Sequence, residues 1–350
     1  MLKKILLIEG RNIGDAVIST GIINSLNASF PAAELHLLTR PQFKDVFANL
    51  PIQKTYYAQF PMGTEKHFGV REAYSLMKTM LSLRRMGFDL VINNMGDFRE
   101  IFLLSAICRT AGTTITWAKG HPFNNLVRPG FHSLARCIEV PASIPNIYEA
   151  QKFFLTEIGC KSLKPPHINC QGQHVKAEGG RAIVGVHPFA GQACKMWPTK
   201  NWRELIRGLT QKCDVLVFCA PNQKKQAQEL FADVIMLPEV KLVSETISEF
   251  FTELSRCDVL VALDSFSLHA AYALSVPSVM LNGGNDARIW LPPGAALVQA
   301  PDKCPFRPCY NKPRCHGSYV CMSGISVAHV AAAVDGQLAR RQKQSPEPAT

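Results

Sequence analysis

The chain has 350 residues, 47% hydrophobic and 19% charged, with a net charge of +11 and a mean hydropathy of +0.02. This length and apolar content suit two domains with sizeable cores and exclude a disordered chain. No run approaches the ~18 uninterrupted apolar residues of a membrane-spanning helix, and the basic side chains are scattered. A dense group near a helix is Arg84 and Arg85 in LSLRRMGFD, and no nucleic-acid motif accompanies it. Nucleic acid is therefore not an expected partner. Solubility, an anionic membrane surface and nucleotide phosphates remain as uses for the excess positive charge.

Lys3 and Lys4 precede a short apolar run, ILLI, that ends at Glu9 without a small-residue cleavage site. This reads as a first buried strand and not as a secretion signal, so a cytoplasmic location is expected. The turn from Gly10 to Gly14 leads into a helix over 16–27. ELHLLT is the next strand, FKDVFANL a short helix and KTYYA a strand. REAYSLMKTMLSLRRMGF is a helix ended by Gly87, FDLVINN a strand, and IFLLSAICRT a helix. This alternation predicts a mostly parallel sheet covered on both faces. TWAKGHPFNNLVRPGFHSLA interrupts it as a long loop suited to lining a site. IYEAQKFFLTEIG is again a helix.

Residues 161–180 are polar and turn-rich, and the domain boundary is placed there, giving domains at 1–165 and 166–340. RAIVGVHP then restarts the pattern as a strand. Thr199 caps a helix over WRELIRGL, DVLVFCAP is a strand, KKQAQELF a helix, SRCDVLVAL a strand, SLHAAYAL a helix and VPSVMLNGG a strand. SGISVAHVAAAVDGQLAR is an amphipathic helix, and 341–350 is a disordered tail.

Five places carry candidate chemistry. Gly10-Arg11-Asn12-Ile13-Gly14-Asp15 follows the first strand but matches neither a dinucleotide fingerprint nor a Walker loop. Asp15 either caps the helix or takes a proton from a substrate hydroxyl. His187 ends a strand, and Lys195 precedes a helix in Lys195-Met196-Trp197-Pro198. There it is either a solvated lysine or part of a phosphate cradle. Asp264 and Ser265 stand at a strand-to-helix junction with His269 five residues after the aspartate. Capping explains them as well as ligand binding does. Adjacent Asp and Ser without G-x-S-x-G exclude a hydrolase relay. Gly283-Gly284 is a plain turn or a backbone cradle. Of the 12 cysteines, Cys304, Cys309, Cys315 and Cys321 crowd together with gaps of four, five and five residues. They are either free thiols or a loose tetrahedral site for structural zinc or iron.

Taken together, G-x-x-x-G-D, K-x-W-P, D-S-x-x-x-H, A-x-A-L-x-x-P-x-V with its Gly-Gly turn, and the final C-M-x-x-I resemble the heptosyltransferases of lipopolysaccharide core assembly. These are inverting glycosyltransferases of family 9. The resemblance covers nearly the whole chain. It implies the α/β fold called GT-B, with two facing Rossmann-like domains and an interdomain cleft. The first domain takes the acceptor and the second the nucleotide sugar. ADP-L-glycero-D-manno-heptose is the implied co-substrate and a lipopolysaccharide inner-core saccharide the implied acceptor. The enzyme would work on the cytoplasmic side, with peripheral contact to the inner membrane. Asp15 matches the catalytic base. Gly14, His187, Lys195, Asp264, Ser265, His269, Gly283 and Gly284 fall on the substrate-holding positions.

No DxD motif occurs at a strand end, so no catalytic divalent ion is expected and Lys195 takes its place. Phe266 stands where the family has a glycine, and it either points into the core or reshapes the donor pocket. Some relatives modify proteins and hold iron on four cysteines. Another sugar, a protein acceptor or a non-catalytic sugar-binding role are thus the alternatives.

Overall fold

The computed structural model describes residues 2–61, 68–94, 113–119, 135–170, 180–301, 304–310 and 313–344. The chain divides into two units, Met1–Asn169 and Cys170–Thr350. The first carries β1 (Lys4–Glu9), β2 (Glu34–Thr39), β3 (Lys54–Tyr57), β4 (Leu90–Asn93), β5 (Thr113–Lys119) and β6 (Arg136–Val140). All pair in parallel, in the order β3-β2-β1-β4-β5-β6. Five of the six residues of β1 are buried, which requires cover on both faces of the sheet.

Helix α1 (Ile13–Ser29) is itself buried along most of its length, while α2 (Val70–Arg84) turns Leu76, Met80 and Leu83 onto Leu6, Ile8 and Val91. Helix α3 (Ile147–Glu157), capped by the Asn146 side chain, packs beside α1, where Gln151 donates to the Ile18 carbonyl. Residues 161–167 run along α1 and donate backbone N–H groups to the hydroxyls of Ser29, Ser25 and Thr20. Those bonds tie 161–167 to the first unit, whose last residue is Asn169.

The second unit repeats the plan. Strands β7 (Ala182–His187), β8 (Cys213–Phe218), β9 (Val240–Val243), β10 (Val259–Leu263), β11 (Ser278–Leu281) and β12 (Ala296–Val298) form a parallel sheet. Its order is β12-β11-β10-β7-β8-β9. Helices α4 (Thr199–Thr210), α5 (Lys224–Leu230), α6 (Ile247–Ser255), α7 (Phe266–Ala273) and α8 (Val327–Gln344) accompany it. Val330 and Val334 of α8 are fully buried in the core that holds Trp197, Trp202 and Val279. Each unit therefore has the 3-2-1-4-5-6 order of a Rossmann-type sheet, with its reversal beside the first strand.

Several expectations are corrected. FKDVFANL, residues 43–50, forms no α-helix: the 3-10 turn Pro41–Phe43 runs into a series of turns. Its i→i+3 bonds and the burial of Phe43, Val46 and Phe47 hold it without an α-helical ladder. Thr116–Lys119, placed in a loop by composition, finish β5 because β6 pairs with all four of them and β4 also with Thr116. Thr199 does not cap α4. Pro198 occupies the cap position and Thr199 is the first helical residue. Helix α8 continues through Gln344, so the tail does not begin at 341. The sequence reading passed over β6, β9, β12 and α6, although α6 has a capping box between Thr246 and Glu249. The helix expected over IFLLSAICRT, the loop 120–134 and residues 345–350 lie outside the described residues.

Candidate active site

In the first unit, β1 ends at Glu9 and α1 starts at Ile13, so the turn between them occupies the carboxyl end of the sheet beside the β1–β4 reversal. The cap residue is Asn12, not Asp15. Asp15 lies in the first helical turn, half-buried, near Gly14, and accepts a hydrogen bond from Asn12 Nδ2 at 3.0 Å. Gly10 has a packing cause: a Cβ there would meet the Phe60 ring at 2.6 Å. The buried Arg40 guanidinium donates from Nε to the Gly10 carbonyl at 2.6 Å and holds the turn against β2.

Behind Asp15 sits a residue that motif reading missed. Glu9 is wholly buried and accepts from Ser19 Oγ at 2.5 Å, Asn94 Nδ2 at 2.6 Å and the Arg11 N–H at 3.1 Å. Ser19 Oγ is also 2.8 Å from the Asp15 carbonyl. One carboxyl group thus ties together the end of β1, the turn, the first turns of α1 and the residue after β4. Burial pushes the Glu9 pKa up to about 7, with the neighbouring Asp15 charge as second cause, against the lowering by its three donors.

In the second unit, Lys195 and Asp264 converge. Lys195, on the 3-10 turn Ala193–Lys195 after β7, places Nζ 3.0 Å from Asp264 Oδ2 and 3.3 Å from the Asp264 carbonyl oxygen. The Lys195 side chain keeps 19% of its surface exposed and that of Asp264 9%. Asn285 Nδ2 donates to the same Asp264 oxygen, and Asn282 Nδ2 holds the Asn285 carbonyl at 2.9 Å. Asp264 is therefore an ion-pair partner and caps no helix. Ser265 occupies the cap position of α7 without a side-chain capping bond.

Ser265 Oγ instead lies 2.8 Å from Ser267 Oγ, which is 3.3 Å from His187 Nδ1. Burial lowers the His187 pKa to about 4, so the imidazole is neutral at neutral pH. Its ring meets Phe250 and Phe266 edge to face. Phe266 also packs on Phe250, 5.1 Å between centroids, so its side chain joins the domain's own aromatic cluster. His269 is buried beside Trp290.

Gly283 and Gly284 have neighbours in the cysteine segment. A Cβ on Gly284 would meet Cys309 Sγ at 2.6 Å, and one on Gly283 would strike Met322 and Cys321. The Cys309 N–H donates to the Gly284 carbonyl at 2.8 Å. A fifth cysteine joins the group: burial raises the Cys194 thiol, and Cys309 and Cys315 add to the rise. Burial likewise raises Cys321, followed by Cys304, Cys309 and Cys315. Cys315 behaves oppositely, because the backbone N–H of Tyr319 leads the groups that lower its pKa. Among the described residues, no three His, Cys, Asp or Glu side chains stand as a ready ligand set for a metal.

Two Rossmann-type units with acids and a lysine at the carboxyl ends of their sheets have the architecture of a GT-B glycosyltransferase. The fold matches the crystal structure of a family 9 glycosyltransferase from Veillonella parvula DSM 2008 with a TM-score of 0.79 and 18% identity, over 97% of this chain and 98% of that one. It matches the Escherichia coli ADP-heptose lipopolysaccharide heptosyltransferase II with a TM-score of 0.73 and 16% identity, over 97% and 99%. The model of glycosyltransferase family 9 (heptosyltransferase) matches residues 76–315, and the chain belongs to that family. Lipopolysaccharide heptosyltransferase 3 of E. coli K12 is 23% identical over 302 residues, 82% of this chain and 84% of that protein. The family match includes Lys195, Asp264 and the Gly-Gly turn and begins after Asp15.

Glu9 and Asn285 belong to the candidate site and were not singled out by motif reading. Asn285 directly follows the Gly283-Gly284 turn, but its partner Asp264 could not be read from that position. Glu9 was treated only as the end of an apolar run. Its raised pKa has a definite sign for stability: at pH values between about 4.5 and 7 the unfolded chain has lost the proton and the folded chain keeps it. The contribution is thus fullest below about 4.5 and is lost as pH rises to about 7. Replacing Glu9→Gln should remove this decline, read as the denaturant midpoint across that range in both proteins. A parallel pH dependence in the two would contradict the assignment.

Proposed function

We propose that the protein transfers heptose from ADP-L-glycero-D-manno-heptose to an inner-core saccharide of lipopolysaccharide, with inversion, at the cytoplasmic face of the inner membrane. The observation that carries this is the Lys195–Asp264 pair at the β7–β10 reversal, in a chain of the heptosyltransferase family. Asp264 and Asn285 orient a lysine whose exposed side remains available to a diphosphate.

In this reading the acceptor hydroxyl oxygen attacks the anomeric carbon. The bond from that carbon to the diphosphate oxygen breaks, and ADP leaves with the electron pair. Asp15 accepts the hydroxyl proton. Lys195 stabilises the charge that grows on the departing diphosphate. Glu9 holds the turn on which Asp15 stands, and Ser265 with the neutral His187 supports the donor-side junction. Gly283 and Gly284 let the cysteine segment close onto that junction.

A structural zinc or iron on Cys304, Cys309, Cys315 and Cys321 is a second, separable part of the proposal. The lowered Cys315 thiol favours it, as does a segment with left-handed backbone at three non-glycine residues, Tyr310, His316 and Tyr319. Binding would require the thiols to draw together from their positions in the structure.

Calorimetry with ADP, UDP and GDP should show ADP binding best, and a preference for UDP or GDP would overturn the donor assignment. Lys195→Met should weaken ADP roughly tenfold or more, the value of a charge-assisted contact. Asp15→Asn should lower kcat by about 10²-fold or more while ADP affinity stays near wild type. Normal turnover by that variant would place the base elsewhere. Elemental analysis of anaerobically purified protein should find stoichiometric zinc or iron, and its absence would leave the cysteines as packing thiols.

A further inference from the structure

Helix α2 has two apolar faces, and only one of them is used by the core. Leu76, Met80 and Leu83 are buried. Val70, Tyr74, Met77 and Leu81 are 89%, 70%, 60% and 47% exposed. Their spacing of four, three and four residues aligns them within about 60° of arc on one side of the helix. Among the described residues they are four of the eleven exposed large apolar side chains, and no other helix gathers such a row. Isolated exposed apolar residues need no explanation, but a continuous row marks an interaction surface.

The charges beside the row say what covers it. Arg71, Lys78 and Arg85 are exposed and spaced seven residues apart, so they form a second row next to the first. The only acidic residue of α2, Glu72, is turned to the helix start, where it accepts the Gly69 N–H at 2.9 Å. An exposed apolar row flanked by cations, on a helix of low overall hydrophobicity, is the pattern of a helix lying in a lipid–water interface. Tyrosine at such a depth keeps its ring in the apolar layer and its hydroxyl in water. Two copies of this face would bring like charges together, which disfavours self-association. Among the described residues no helix is long and apolar enough to cross a membrane.

We propose that α2 is a membrane-surface helix that seats the protein on an anionic lipid bilayer, with Val70, Tyr74, Met77 and Leu81 entering the interface and Arg71, Lys78 and Arg85 meeting lipid phosphates. The proposal stands on α2 and holds whichever sugar the enzyme moves.

The test is sedimentation of the full chain with vesicles of phosphatidylcholine alone and of phosphatidylcholine with phosphatidylglycerol. The protein should partition to the anionic vesicles and not to the neutral ones. Lys78→Gln and Arg85→Gln should each lower that partitioning about fivefold. The double variant Met77→Ser/Leu81→Ser should abolish it while ADP affinity, measured on the same samples, stays unchanged. Unchanged ADP affinity also reports that the variants are folded. Failure of the wild type to bind anionic vesicles, or equal binding by all variants, overturns the proposal. So does a change of molar mass in light scattering when Met77 and Leu81 are replaced, because that would make the face a contact between copies of the chain.

Discussion

Both sheets reverse their strand order beside their first strand, and the placement of every candidate group follows from that reversal. Crossover connections carry the chain from β1 outward through β2 and β3, then back to β4 on the other side; β7 through β10 repeat the path. Loops leaving the carboxyl ends of the two central strands diverge there, so the sheet end stays open at that point. Glu9 and Asn94 border the opening in the first unit, while His187 and Asp264 border it in the second.

The same constraint creates an electrostatic problem at each opening. Central strands covered on both faces have no solvent along their length, so a carboxylate at their end must find partners inside the protein. The two units solve this differently. Asp264 has a cation, Lys195, and an amide donor. Glu9 has only neutral donors, a hydroxyl, an amide and one backbone N–H, so burial, with the Asp15 charge as second cause, outweighs them and makes its proton hard to remove. One site is therefore organised around a fixed ion pair. The other is organised around a buried carboxyl group held by neutral donors.

Much of the fold could be read along the chain. Apolar runs such as KILLIE and VLVAL, each followed by a helical pattern, are sufficient to place parallel strands. Short strands with mixed burial, such as β6 and β9, were not visible because pairing and not composition stabilises them. Among the site residues, Asp15, Lys195 and Asp264 stood out by their place at strand ends. Asn285 and Cys194 did not, since their partners are remote in sequence. Two glycines have a packing role that local sequence does not show. Gly10 faces Phe60 and Gly284 faces Cys309, so close packing within each unit already requires them to be small.

By itself, the sequence determined the parallel α/β class, the two-unit organisation, the family and the strand-end positions of Asp15, Lys195 and Asp264. All of these are written in local periodicity and motif order. Tertiary structure alone decided that Lys195 and Asp264 pair, that Glu9 is buried behind Asp15, that Phe266 joins an aromatic cluster, and that α2 leaves its second apolar row exposed. Each of these depends on which distant element arrives beside a side chain. Burial, and with it proton affinity and ion pairing, is a property of that neighbourhood and not of the residue.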